Sequence, residues 1–192
     1  MASYQSSTFG RIAKRLHSFA TLASCVAFLQ LSVLADEPKT LFEFGNDKQI
    51  ARLITTHPAS IKNTDDAAIE GSASAKTMVD NAAEAKGYFG VGVPFSELNL
   101  SESVELRLWV KSDAESDFNL QVHSGDKQAS AFGFSTFGSA GKWIQVTAPL
   151  ASFVPPAWSA GKVDWTAVSK VQITAFGNGP YDGKYIMLGG LV

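Results

Sequence analysis

Polar and aromatic side chains alternate with apolar ones along two neighbouring stretches of the sequence. The first stretch carries Arg107 and Trp109, and the second carries Asn119, Gln121 and His123. An aromatic ring can stack on the apolar face of a sugar, while planar amides and a guanidinium can bond its hydroxyl groups. These residue types predict a carbohydrate groove if the two stretches pair as a hairpin. An ordinary polar sheet face exposed to water explains the same residues equally simply.

A second set of aromatic residues lies in or near predicted loops. Trp158 stands between Pro155-Pro156 and Gly161, so we expect an exposed stacking platform, with the alternative that the ring folds the loop down. Trp143 and Trp165 are expected to pack internally, because large aromatic side chains dominate core energetics. The remaining members of the set are Tyr88, Tyr181 and Tyr185.

Residues arranged for catalysis are scarce. After residue 35 the only histidines are His57 and His123, and neither belongs to a recognised motif. A glycosidase needs two carboxylates held ~5–10 Å apart across a cleft, whereas the acidic residues here are scattered mainly through loops. Metal motifs such as CxxC and HExxH do not occur. We therefore expect a binding protein and no enzyme; a small polysaccharide lyase or hydrolase is the less favoured alternative.

The elements that position these residues are predicted to be short strands. Val104–Lys111 and Asp117–His123 alternate apolar and polar residues with period two, the pattern of a half-buried strand. The polar spacer between them suits a hairpin loop. Gln172 and Thr174, which alternate with apolar neighbours, would extend the same polar face. Further strands are predicted at Leu41–Phe44, Gln49–Thr55, Tyr88–Val93, Gln128–Ser135, Lys142–Ala148, Val168–Ala175 and Lys184–Val192. Closely spaced strands separated by turn residues predict an all-β sandwich.

The segment from Asp65 to Lys86 is the hardest to interpret. Its Ala, Glu and Lys content favours helix, but Gly71 and neighbouring serines interrupt any helical stripe. We predict short strands at Ala67–Glu70 and Lys76–Val79 with a turn at Asp80–Lys86. A single helix packed beside the sandwich is the alternative.

Residues 1–35 have the pattern of a signal peptide. Arg11, Lys14 and Arg15 precede an apolar run, and Ala35 suits cleavage before Asp36. The run is shorter than the ~20 residues that a membrane-spanning helix needs, so no transmembrane anchor is expected. Lipidation at Cys25 is a minor alternative. Either interpretation predicts a secreted, periplasmic or cell-envelope protein, with residues 36–192 as a single β-sandwich domain.

Composition narrows the class of partner. The chain has 192 residues, a formal net charge of −2 and one cysteine, Cys25, so the mature protein can form no intrachain disulfide. Nucleic acid is not an expected partner, because phosphate binding needs a basic patch and none is visible. The expected partner is a polysaccharide or glycan. A structural or interaction module that binds another exported protein is the alternative.

The order of several segments resembles the galactose-binding-like jelly rolls, a fold found in many carbohydrate-binding modules. The segments are Leu41–Phe44, Gly90–Phe95, Leu106–Val110, and Gly141–Leu150 followed by Asp164-Trp165. The resemblance implies a jelly-roll β-sandwich of two antiparallel sheets and non-catalytic sugar binding. Many family members also hold a structural calcium ion through an acidic residue in the last strand, where this chain has Gly189. Glu43 and Asp47 offer some oxygen ligands, but calcium takes six or more, so the metal site stays undetermined.

Overall fold

Strands dominate the residues that the computed structural model describes, which are 38–68, 74–79, 88–176 and 184–192. The strands are β1 (Ile54–Thr55), β2 (Ala59–Thr64), β3 (Ser74–Val79), β4 (Tyr88–Leu98), β5 (Glu105–Ser112), β6 (Asp117–Ser124), β7 (Gln128–Ser135), β8 (Ile144–Pro149), β9 (Val168–Phe176) and β10 (Tyr185–Leu191). One turn of α-helix, α1 (Asp47–Ile50), and a 3-10 helix, Leu150–Ser152, complete the set. No helix in these ranges is long and apolar enough to cross a membrane.

The strands form two five-stranded antiparallel sheets. Sheet I has the order β1–β4–β9–β6–β7, and sheet II has the order β2–β3–β10–β5–β8. Neighbours in each sheet are mostly distant in sequence, as in a jelly roll, and all paired strands run antiparallel. The predicted all-β jelly-roll sandwich is therefore confirmed.

The core lies between the two sheets and is built from alternate residues of their strands. In β6 of sheet I, Phe118, Leu120 and Val122 are buried, and in β5 of sheet II the same holds for Leu106 and Val110. This alternation confirms the predicted inward faces of both strands. Val104 is an exception, because it lies before β5 and is 80% exposed.

The connection between β5 and β6 crosses from one sheet to the other, so the predicted hairpin is wrong. β5 pairs with β8 and β10, whereas β6 pairs with β7 and β9. Small side chains make the crossing possible: Ala114 is buried, Ser112 Oγ donates to Tyr185 O at 2.7 Å, and Ser116 Oγ donates to Phe176 O at 2.6 Å. These serines tie one end of the connection to sheet II and the other to sheet I.

Two predicted strands near the start of the domain differ from the structure. Residues 49–55 form the end of α1 and the two-residue β1, because Asn46 Oδ1 accepts a hydrogen bond from Gln49 N at 3.0 Å and caps the helix. Such side-chain caps favour helix over strand locally. Residues 41–44 contribute only an isolated bridge from Phe42 to Leu191. Sequence analysis also missed β2.

The remaining strand predictions are confirmed within a few residues, including Lys76–Val79, which lies inside β3. That stretch is therefore strand and not part of a helix. The predicted strand at 67–70 is wrong where it is described, since residues 67 and 68 are outside any strand. Residues 69–73, 80–87 and 177–183, with the predicted turns there and Tyr181, lie outside the described residues. So does the predicted signal peptide.

Candidate functional site

Three strands of sheet I form the floor of a cleft on the face turned away from the core. Their register places Gly92, Gln172 and Gln121 in one row across β4, β9 and β6. The next row is Gly90, Thr174 and Asn119. Residues of adjacent rows on one face lie two positions apart, roughly 7 Å along the strand. The floor is thus a compact array of amides and a hydroxyl, and beside it β4 has glycine at two outward positions, Gly90 and Gly92.

The glycines of β4 leave space for the polar side chains of β9 to lie against the sheet. A Cβ at Gly90 would stand 2.9 Å from Thr174 Oγ1 and 3.0 Å from Gln172 Nε2. At Gly92 it would stand 3.2 Å from the Gln172 Cβ. With that space open, Gln172 Nε2 donates to Thr174 Oγ1 at 2.8 Å. The two side chains are buried and hold each other in place.

His123 lies at one end of the floor, one row beyond Gln121, and is neutral near pH 7. Burial, and secondarily the charge of Lys170, lowers the pKa of His123 to about 4. Its Nε2 lies 3.3 Å from Gln121 Oε1. A neutral imidazole donates from one nitrogen and accepts at the other, so the tautomer that donates from Nε2 satisfies the Gln121 oxygen. The pair behaves as a neutral polar surface near pH 7.

Trp158 forms an exposed aromatic wall above His123. Its ring is 56% exposed and stacks on the imidazole, with centroids 5.8 Å apart and planes inclined by 25°. The loop that carries it is fastened to β7: Val154 bonds Ala131 in both directions, and Ser159 Oγ accepts from Ala129 N at 2.9 Å. The tryptophan is therefore presented from an anchored loop, as an exposed platform requires.

A second aromatic residue, Tyr88, stands at the opposite end of the cleft. It is 46% exposed and meets the ring of His57 edge-on at a centroid distance of 4.8 Å. Thr56 Oγ1 supports this end by accepting from Gly90 N at 2.8 Å. The whole cleft encloses about 390 Å³ and is lined by Thr56, Tyr88, Gln121, His123, Trp158, Lys170, Gln172, Thr174 and Phe176.

The cleft lining has no carboxylate among its described residues. Paired carboxylates are the usual machinery of glycoside hydrolysis, so this cleft lacks that arrangement. The lining offers aromatic faces to apolar surfaces, and amides and hydroxyls that can exchange hydrogen bonds. Among the described residues, no group of three or more His, Cys, Asp or Glu is placed to hold a metal ion.

The residues that sequence analysis selected fall on both sheets. Gln121, His123 and Trp158 line the cleft, together with Gln172 and Thr174. Asn119 lies one row further along β6, beside Gly133 of β7. Three cleft residues, Lys170, Thr56 and Phe176, were missed; the even spacing of residues 170, 172 and 174 along one strand is the signal that would have found Lys170.

Arg107 and Trp109 lie on the outer face of sheet II, because β5 pairs with β8 and β10 of that sheet and not with β6. Arg107 forms an ion pair with Glu105. Trp109 pairs with Gln145 of β8 and Gly189 of β10. The expectation that these two residues share one face with Gln121 and His123 is therefore wrong. Their binding role remains a separate prediction.

Several other side chains on the outer face of sheet II contact one another. Asp66 accepts from Lys111 Nζ and, at 3.0 Å, from Trp143 Nε1, and these bonds, led by that of Lys111, lower the pKa of the carboxyl. Lys76 Nζ lies 4.2 Å from the centroid of the Tyr185 ring. Trp143 thus packs outside the core, contrary to expectation. Trp165 packs against the core as expected, with its ring edge-on to Phe153.

Known proteins share this fold at low sequence identity. Scans of family models and of curated proteins give no match. The solved family 11 carbohydrate-binding module from Clostridium thermocellum, in complex with a β-1,3-1,4-mixed-linked tetrasaccharide, superposes with a TM-score of 0.55 at 13% identity. The match covers 80% of this chain and 92% of the module.

Two enzymes contain a similar domain. An exo-β-agarase matches with a TM-score of 0.59 and 18% identity over 80% of this chain, and an arabinose-bound α-L-arabinofuranosidase with a TM-score of 0.54 and 12% identity over 79%. This chain spans only 24% and 25% of those enzymes. These similarities show the fold, which accommodates binding modules and parts of larger enzymes alike.

Proposed function

We propose that this protein is a non-catalytic carbohydrate-binding module whose glycan lies in the cleft of sheet I. One observation carries the proposal: two exposed aromatic side chains, Trp158 and Tyr88, flank a floor of preorganised amides and hydroxyls without a carboxylate. Sugars present both an apolar ring face and a rim of hydroxyl groups, and this cleft offers a partner for each.

The dimensions of the cleft favour several sugar rings over one. Tyr88 pairs with Phe176, and His123, on which Trp158 stacks, pairs with Lys170. Those two rows are six positions apart along β9, which corresponds to roughly 20 Å at the rise of a β-strand. The two aromatic residues therefore stand at opposite ends of a path several times longer than one sugar ring. We infer that the ligand is an internal segment of a polysaccharide.

The first test is glycan affinity of a Trp158→Ala variant, measured by isothermal titration calorimetry. The probes are a mixed-linked β-1,3-1,4-glucan, agarose oligosaccharides and an arabinan, chosen from the solved proteins with this fold. Loss of one stacking ring weakens binding by about 1.4 kcal/mol, or about 10-fold, in line with aromatic contacts. Tyr88→Ala is expected to act in the same direction.

Trp109→Ala is the discriminating variant in that experiment, because Trp109 is a comparable aromatic residue on the other sheet. If the ligand lies on sheet I, its affinity survives this substitution. Affinity that disappears with Trp109 and persists without Trp158 would move the site to sheet II. The absence of binding to any glycan would overturn the proposal and favour an interaction module for another exported protein.

Export is part of the proposed function, because a protein that binds polysaccharides of the cell surface or the surroundings must leave the cytoplasm. The pattern of residues 1–35 predicts cleavage by signal peptidase. N-terminal sequencing of the native protein from medium or envelope is expected to begin at Asp36. A mature chain beginning at a lipidated Cys25 would replace secretion with membrane anchoring, and an intact N-terminus in the cytoplasm would contradict export.

A further inference from the structure

Lys170 is a cation in the cleft for which the described part of the protein provides no direct partner. It lies on β9 opposite His123 of β6 and Pro94 of β4, and its side chain lines the cleft. The residue is half-buried. Neither a hydrogen bond nor an ion pair joins its ammonium group to a described residue. Desolvation lowers its pKa, and among the described residues Asp126 counteracts this through longer-range attraction.

The lysines of sheet II show how this protein satisfies partly buried cations elsewhere. Lys111 Nζ forms an ion pair with Asp66, and Lys76 Nζ lies over the Tyr185 ring. In the part of the protein that the structure describes, no carboxylate pairs with the Lys170 ammonium group and no aromatic ring lies beneath it. Its neighbour His123 is neutral, because the pKa of that imidazole is about 4, and therefore adds no second positive charge beside Lys170.

A partly desolvated ammonium group is costly unless a counter-charge compensates it. In a cleft without carboxylates, the missing counter-charge is readily supplied by the ligand. A sugar hydroxyl can accept a hydrogen bond from Lys170 Nζ but leaves its charge largely uncompensated. A carboxylate or sulfate ester accepts the hydrogen bond and also neutralises the charge of the ammonium group. Charge-assisted hydrogen bonds of this kind are roughly twice as strong as neutral ones.

We propose that the cleft selects a glycan bearing an anionic substituent, a uronate carboxylate or a sulfate ester, which binds against Lys170 Nζ. This inference rests on the proposed carbohydrate-binding function and specifies its ligand class. The substituent belongs to the sugar ring nearest Trp158, because His123 lies opposite Lys170 and carries the stacked tryptophan ring.

The test compares matched neutral and anionic probes. Sulfated carrageenan oligosaccharides are paired with the same oligosaccharides after desulfation, and methyl-esterified oligogalacturonides are paired with the free acids. For at least one pair, the wild-type protein is expected to bind the anionic member about 10-fold more tightly, the effect of one charge-assisted hydrogen bond. The pair that shows the preference identifies the substituent. Added salt is expected to reduce the preference through screening.

Three variants attribute the preference to one residue. Lys170→Gln is expected to abolish it, and Lys170→Arg to preserve it. Lys142→Gln, which removes the same charge from an exposed residue in the loop before β8, is expected to leave it unchanged. A wild-type protein that binds both members of each pair equally, or a preference that persists in Lys170→Gln, would overturn this inference while leaving glycan binding intact. Failure to bind any probe would overturn both proposals.

Discussion

Gly90→Ala is expected to weaken glycan binding by about 100-fold, although it adds only one methyl group. The new Cβ would stand 2.9 Å from Thr174 Oγ1 and 3.0 Å from Gln172 Nε2. Both side chains must turn away, which breaks their 2.8 Å hydrogen bond and removes two polar groups from the floor. Losing two hydrogen-bonding partners at 1–1.5 kcal/mol each corresponds to about 100-fold in affinity.

The same substitution is expected to cost stability, because the added Cβ also approaches the main chain at Ile173 O to 3.0 Å. Overpacking of this kind typically costs about 1–3 kcal/mol. Affinity must therefore be measured by calorimetry well below the unfolding midpoint of the variant, with the midpoint taken from thermal circular dichroism. Gln172→Ala, which removes the amide without a clash, is expected to weaken binding without this stability loss.

Gly133→Ala is the matched control, because Gly133 lies on the same face of sheet I and its added Cβ meets only Asn119 Oδ1, at 3.5 Å. That distance is an ordinary contact, so folding and glycan affinity are expected to remain near wild-type values. A folded Gly90→Ala protein that binds glycan like wild type would show that Gln172 and Thr174 do not contact the ligand.

The fold was predictable because period-two alternation of apolar and polar residues indicates which residues of a strand face the core. This indication does not depend on which of the two sheets the strand belongs to. Phe118, Leu120 and Val122 had to be buried together for this reason. Short elements were less predictable: α1 depends on the single cap by Asn46, and β1 has only two residues. Local caps and pairings of this size leave no periodic pattern in the sequence.

The candidate site was only partly predictable, because alternation does not reveal which strands are neighbours. Gln121 and Gln172 meet across 51 positions of sequence, a pairing set by the topology of sheet I. Trp109, close to Gln121 along the chain, belongs to the opposite sheet. The roles of Gly90 and Gly92 were also not predictable, because the sequence does not show which side chains of a neighbouring strand occupy the space beside a glycine. Strand order, which depends on long-range packing, decided the composition of the site.

Acidification is expected to destabilise this protein through protonation of His123. The pH range of this effect lies above the range in which the carboxylates titrate. The pKa of His123 is about 4 in the folded protein and 6.5 for an unperturbed imidazole. Between these values the unfolded chain binds one more proton than the folded protein, so the free energy of unfolding rises with pH. The stabilisation is complete above pH 6.5 and is lost as the pH falls to about 4. One pKa unit corresponds to about 1.4 kcal/mol, so the loss amounts to at most about 3.5 kcal/mol.

The groups around His123 define the variants for this measurement. Lys170 faces it from β9, Gln121 adjoins it on β6, and the Trp158 ring covers it from the loop. Urea unfolding across the window is expected to show a pH-dependent loss in wild type that is absent in His123→Gln. Lys170→Gln removes the second cause of the shift and should raise the pKa of His123, which NMR titration of the ring measures directly. Equal pH slopes in wild type and His123→Gln would show that the imidazole is hydrated and protonates freely in the folded protein. The floor of the cleft would then carry a second positive charge beside Lys170 near pH 6, which would strengthen the binding of an anion there.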